Sequence, residues 1–107
     1  MGTRLELHDR LVSIMKSVDP SLADHVYFQP PSNIKIKYPC IVYNKNYGDT
    51  KYADDSPYIY HVRYQITVID KNPDSKIPSL IAMMPMCSSD RCYVVDNLNH
   101  DVFNIYY

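Results

Sequence analysis

Apolar and polar positions alternate most regularly between Tyr58 and Asp70, a run that reads Y-I-Y-H-V-R-Y-Q-I-T-V-I-D. Tyr58, Tyr60, Val62, Tyr64, Ile66 and Val68 share one parity, and Ile59, His61, Arg63, Gln65 and Thr67 share the other. Strand side chains point to opposite faces with period two, so the pattern predicts one long strand with an apolar face and a mainly polar one. At ~3.3 Å per residue it would reach about 40 Å, roughly twice a typical strand, so it must bend or extend past the domain body. Cys40 to Tyr47 predicts a partner strand. Residues 46–57, N-Y-G-D-T-K-Y-A-D-D-S-P, predict a polar loop that joins the two into an antiparallel hairpin.

Helical spacing governs the N-terminal segment. Leu7, Leu11, Ile14, Met15 and Val18 form one apolar stripe, predicting a helix from Thr3 to about Ser17. Thr3 and Glu6 fit a capping box, and Asp19-Pro20 stops the helix because proline disfavours helical geometry in the residue before it. Val26 to Gln29 predicts a short strand, and Ile34 to Lys37, I-K-I-K, a short edge strand guarded by its lysines. After a turn cluster at residues 70–75, a second helix runs to about Met84. It is capped by Asp74 or Ser75, carries Pro78 in its first turn and is closed by Pro85. Cys92 to Leu98 and Val102 to Tyr107 read as strands joined around Asn99-His100, with Phe103, Ile105 and Tyr107 on one face. The sum is a single α+β domain over residues 1–107. It has an antiparallel or mixed sheet built on a long central hairpin, an N-terminal helix and a second short helix.

Composition narrows the function classes. A chain of 107 residues fits one domain with one modest core. Its net charge of -1 gives no global field to recruit nucleic acid or an anionic membrane. No apolar run is long enough for a transmembrane helix, and the opening M-G-T-R-L-E-L-H lacks the apolar centre of a signal peptide. Three cysteines, Cys40, Cys87 and Cys92, make no complete disulfide set, so free thiols in a reducing compartment are expected. The 11 tyrosines suit half-buried sheet faces and wet interfaces, because each joins an apolar body to a polar tip.

Chemistry finds little to build on. Cys87 and Cys92 lie five positions apart and His61 and His100 stand alone, so no metal-ligand pattern forms. Cys87, His100 and Asp101 have the residue types of a nucleophilic centre but no supporting spacing. Asp54 and Asp55 sit in a polar stretch, where solvated charge explains them. With 2 glycines there is no phosphate-cradling loop. Basic and aromatic residues interleave at Lys35, Lys37, Tyr38, Tyr43, Lys45, Tyr47, Lys51 and Tyr52, as in single-strand nucleic-acid platforms. Asp49, Asp54 and Asp55 work against that reading. The polar face of the long strand, His61, Arg63, Gln65 and Thr67, is either a solvated sheet face or a wet subunit interface. The expectation is a structural protein, not an enzyme, with no cofactor and no metal.

Several segments together resemble one family. They are R-L-E-L-H (Arg4 to His8), V-Y-F-Q-P-P (Val26 to Pro31), K-Y-P-C-I-V-Y (Lys37 to Tyr43), A-D-D (Ala53 to Asp55), Y-Q-I-T-V-I-D-K-N-P-D-S (Tyr64 to Ser75) and D-N-L-N-H-D-V-F-N-I-Y-Y (Asp96 to Tyr107). In this order they span nearly the whole chain, which resembles the tail terminator, or tail completion, proteins of long-tailed phages and prophages. The resemblance implies a virion protein that caps the tail tube at its head-proximal end, stops tube polymerisation and presents the head–tail joining surface. Its partners would be copies of itself in a hexameric ring, the tail tube protein and the head–tail connector or neck proteins. It implies no membrane and no specific nucleic acid, with host cytoplasm as the site of assembly. The expected ring or tube contacts are Tyr47, Asp49, Lys51, Asp54, Asp55, His61 and Arg63. A head-closure or connector-ring role, and a small nucleic-acid-binding module, are the alternative readings.

Overall fold

The computed structural model describes residues 4–31, 35–45, 50–53, 56–60 and 63–106, those at 50–53 and 56–60 by their backbone. Two helices and a five-stranded mixed sheet make an α+β fold, as the sequence predicts. Helix α1 spans Arg4–Val18 and buries Leu7, Leu11 and Met15 completely. Ile14 packs at the margin of the core and Val18 is exposed, so the apolar stripe is narrower than its sequence spacing implies. Thr3 of the expected capping box lies outside the described residues. At the other end, Asp19 begins a 3₁₀ turn at Pro20–Leu22. Its carboxylate accepts from both the amide and the hydroxyl of Ser21 at 3.0 Å, which holds its pKa below the ordinary carboxylate value.

Strands β1 (Val26–Phe28), β2 (Cys40–Lys45), β5 (Arg63–Asp70), β6 (Cys87–Val95) and β7 (Leu98–Tyr106) form the sheet in the order β1-β2-β5-β7-β6. Strand β1 runs parallel to β2, and the other neighbours are antiparallel. A parallel pair obliges the intervening chain to return to the starting end. Residues 35–37 are therefore part of a crossing, not the edge strand expected at Ile34 to Lys37. There the Lys37 amide donates to the Tyr27 hydroxyl at 3.3 Å.

One face of the sheet carries Val26, Ile41, Tyr43, Tyr64, Ile66, Val68, Phe103 and Ile105. These residues form a single core with the α1 stripe and with Ile77, Ile81 and Met84 around helix α2 (Ile77–Ala82). Alternation puts Cys40, Val42, Arg63, Gln65, Thr67, Ile69, His100 and Val102 on the opposite face. Cys40, Ile69 and Val102 are buried even there. Tyr43 is fully buried, so the expected basic–aromatic platform loses one of its rings to the core. Its hydroxyl and His8 Nδ1 share a 2.6 Å hydrogen bond across the α1–sheet interface. Burial pushes its pKa up, against the opposing pull of Arg4.

The long strand expected from Tyr58 to Asp70 is divided. Arg63–Asp70 is central, paired with β2 on one side and β7 on the other. Strand β2 ends at Lys45 and β7 at Tyr106, opposite Tyr64 and Arg63, so among the described residues the main-sheet pairing of this run stops there. Residues Ser56–Tyr60 (β4) pair instead with Thr50–Ala53 (β3) in a two-stranded ribbon, and β3 lies inside the stretch expected to be a loop. The ribbon continues the β2–β5 register displaced by one residue, and a shift between Lys51 and Tyr52 restores it.

Helix α2 is shorter than expected. Its N-cap is Lys76, which makes no side-chain cap bond, although the Ser75 hydroxyl accepts from the Ile77 amide at 3.3 Å. The last hairpin turns at Asp96-Asn97, not at Asn99-His100. Both turn residues have positive φ, 53° and 63°. That is the twist a two-residue hairpin loop needs, and Asp and Asn tolerate it.

The core sets the stability ranking. Ile66→Ala removes a fully buried side chain from the central strand and is expected to cost about 2–5 kcal/mol. Val94→Ala, at an exposed position, should stay within about 0.5 kcal/mol of wild type in urea denaturation.

Candidate assembly interface

Of the residues expected to make contacts, Tyr47, Asp49, Asp54, Asp55 and His61 lie outside the described residues. Lys51 is placed by its backbone in β3, opposite Ile59. Arg63 opens β5 opposite Tyr106 and is half-buried on the face away from the helices. The two belong to different sheets, Lys51 to the ribbon and Arg63 to the five-stranded sheet.

The structure lengthens a strand that the sequence pattern predicts only in its second half. Strand β6 begins at Cys87, not at Cys92, and closes the sheet as its outer strand. Every residue after Cys87 in this strand is exposed. Its first half is polar, Ser88-Ser89-Asp90, which hid it from a reading based on β-propensity. The register against β7 shifts between Ser89 and Arg91, and Arg91 reaches back to the Asp90 carboxylate at 3.2 Å. Its second half, Cys92-Tyr93-Val94-Val95, is β-favouring. Val94 is 64% exposed and Val95 48%. Tyr93 stacks on His100 with ring centroids 4.7 Å apart, and Arg91 lies 6.0 Å from the Tyr93 centroid.

The ionisable groups considered as chemistry do not converge. Cys87 lies opposite Ile105 and Cys92 opposite Asp101. His100 is on the other face, where its Nδ1 donates to the Leu98 carbonyl at 3.0 Å. Among the described residues, no three His, Cys, Asp or Glu side chains gather as metal ligands. A cleft of about 610 Å³ lies between the end of α1, Pro39, the 70–76 turn and α2. Asp70 and Asn72 use their side chains to close that turn, accepting from the Asn72 and Asp74 amides at 2.9 and 3.0 Å. Such caps lock the loop that connects β5 to α2.

Comparison with protein-family models, curated proteins and solved structures finds no match.

The three thiols are free, with Cys40 buried, Cys87 half-buried and Cys92 exposed. Burial, with a smaller push from the Asp70 carboxylate, drives the Cys40 thiol up to about 12. Burial also raises Cys87. Unfolding returns Cys40 to its ordinary value of 9.0, so between 9.0 and about 12 the unfolded chain binds fewer protons than the folded one. The stabilisation is complete below that window and is lost as pH rises through it. Urea midpoints should therefore fall more steeply between pH 9.0 and 12 in wild type than in Cys40→Ala. Equal slopes would contradict this.

Proposed function

We propose that this chain is a structural virion protein of the phage tail terminator type. It caps the tail tube at the head-proximal end as a ring of identical subunits, the hexamer that the resemblance implies. The observation that carries the reading is the β3–β4 ribbon, which prolongs the central hairpin beyond the last residue paired with a flanking strand. A two-stranded ribbon is marginal by itself in water, so it calls for a partner surface. A closed ring needs two different patches on each subunit that meet head to tail, and an arm at one end of the sheet supplies one of them. The ordered likeness of segments from Arg4 to Tyr107 supports the same reading.

In this role the chain acts by shape. The arm and its flanks, from Tyr47 through Asp49, Lys51, Asp54 and Asp55 to His61 and Arg63, contact the neighbouring subunit or the tube. Their mixed charges select register more than they add affinity. Once the ring closes on the tube, the end presented to further tube subunits is covered, and the opposite side offers the surface for the neck proteins.

Electron microscopy of particles assembled without this chain tests the role. Loss of a terminator gives tails of abnormal length beside separate, filled heads. Normal-length tails beside empty or unstable heads would contradict it.

A further inference from the structure

The end of the sheet opposite the arm carries a second unpaired feature. In the register of the sheet, the arm leaves from Arg63, which lies opposite Tyr106. At the other end Asp70 lies opposite Asn99, and Asn99 lies opposite Val94. The apolar stretch Cys92–Val95 of β6 thus sits at the far end of the sheet from the arm, on its outer edge. The strand length between Arg63 and Asp70, at ~3.3 Å per residue, separates the two by about 20 Å. Within one copy β3 pairs with β4 in the ribbon and β6 pairs with β7 in the five-stranded sheet, so a β3–β6 pairing is one between two copies.

The two features are matched in kind. Proteins guard exposed edges with charge and bulges. Strand β6 has both in its first half, at the register shift and the Asp90–Arg91 pair. The guard stops where Tyr93, Val94 and Val95 begin, and these stay exposed at 41%, 64% and 48%. In the arm, β4 contains Pro57, paired with Tyr52. Proline has no amide to give, which makes β4 the poorer of the two ribbon strands for adding a further strand. Strand β3, Thr50–Ala53, has no proline, so each of its residues carries a backbone amide as well as a carbonyl. It is as long as the bare stretch Cys92–Val95.

We infer that β3 of one copy adds as a strand to β6 of the next, Thr50–Ala53 lying along Cys92–Val95. Main-chain hydrogen bonds supply the attraction, and the side chains of Tyr93, Val94 and Val95 give it an apolar footing. The donor and acceptor patches are different and stand at opposite ends of the sheet. The contact is therefore heterologous, and successive copies form a closed ring or an open filament. This deepens the tail-terminator reading and takes ring closure from it, but strand pairing itself does not depend on the tail role.

The test uses the full chain with Cys87→Ser, which leaves Cys92 as the exposed thiol and Cys40 buried. Thr50→Cys, Lys51→Cys, Tyr52→Cys and Ala53→Cys are each added to it. Every variant is checked for native circular dichroism and then oxidised at high protein concentration. Non-reducing gels should show a reducible ladder of dimers, trimers and higher species for at least one position, and none for Cys87→Ser alone. The ladder should disappear when Val94→Lys and Val95→Lys are added, both exposed positions at which folding is spared. No ladder at any of the positions overturns the inference. So does a dimer from Cys87→Ser alone, which would mean β6 pairing with β6 about a twofold axis. A ladder from a chain whose loss leaves tails of normal length upholds the pairing and rejects the tail role. Tails of abnormal length without a ladder do the reverse.

Discussion

A β-ladder persists only as far as its neighbours do, and this constraint shapes the whole molecule. The β2–β5 pair is the axis of the sheet: α1 and α2 pack on one side of it, through Ile41, Tyr43, Tyr64, Ile66 and Val68. Within the sheet β1 and β7 flank it, and both stop near the level of Lys45 and Arg63. Up to that point Tyr64–Ile69 of the central strand have partners on both sides. Past it, β3 and β4 pair only with each other among the described residues. Burial of the Tyr–Ile–Val face stabilises the body by about 1.5–3 kcal/mol for each fully buried side chain. The ribbon has no third strand, and a partner surface would have to supply what flanking strands give the body.

Much of this was legible in the sequence, and the failures have physical causes. Period two in Tyr64, Ile66 and Val68 and period 3.6 in Leu7, Leu11 and Met15 survive because both report a buried face, the strongest local signal a fold leaves. The division of the long strand could not be read, since it depends on where β7 ends, some forty positions further along the chain, and sequence spacing within the strand is blind to that. The ribbon at Thr50–Ala53 was read as a loop because its polar composition speaks for solvent exposure and says nothing of pairing. Strand β6 was half missed for the same reason, since Ser88, Ser89 and Asp90 lie on an outer strand where burial imposes no pattern. The turn at Asp96-Asn97 did leave a signal, two adjacent residues tolerant of positive φ between apolar runs, which lost out to Asn99-His100. Among the candidate contact residues, Lys51 and Arg63 fall on either side of the divide between ribbon and body.

The functional account follows from where unsatisfied surface lies. Among the described residues, the cysteines, histidines and carboxylates do not gather into one cluster. Cys40 is held protonated in the sheet, and His100 is spent on a carbonyl and a tyrosine ring. Two backbone edges among the described residues bear on assembly: β3 of the ribbon and the Cys92–Val95 stretch of β6. These unlike edges, one on the ribbon and one on the five-stranded sheet, are the pair of patches that the proposed head-to-tail contact uses.

Hydrogen exchange of the backbone amides, followed as protein concentration is raised, tests the central claim most directly. The account predicts that amides of Thr50–Ala53 and Cys92–Val95 gain protection together as copies associate, while those of the central strand Arg63–Asp70 are protected throughout. Association with both stretches still exchanging freely, or with only one of them protected, would contradict it.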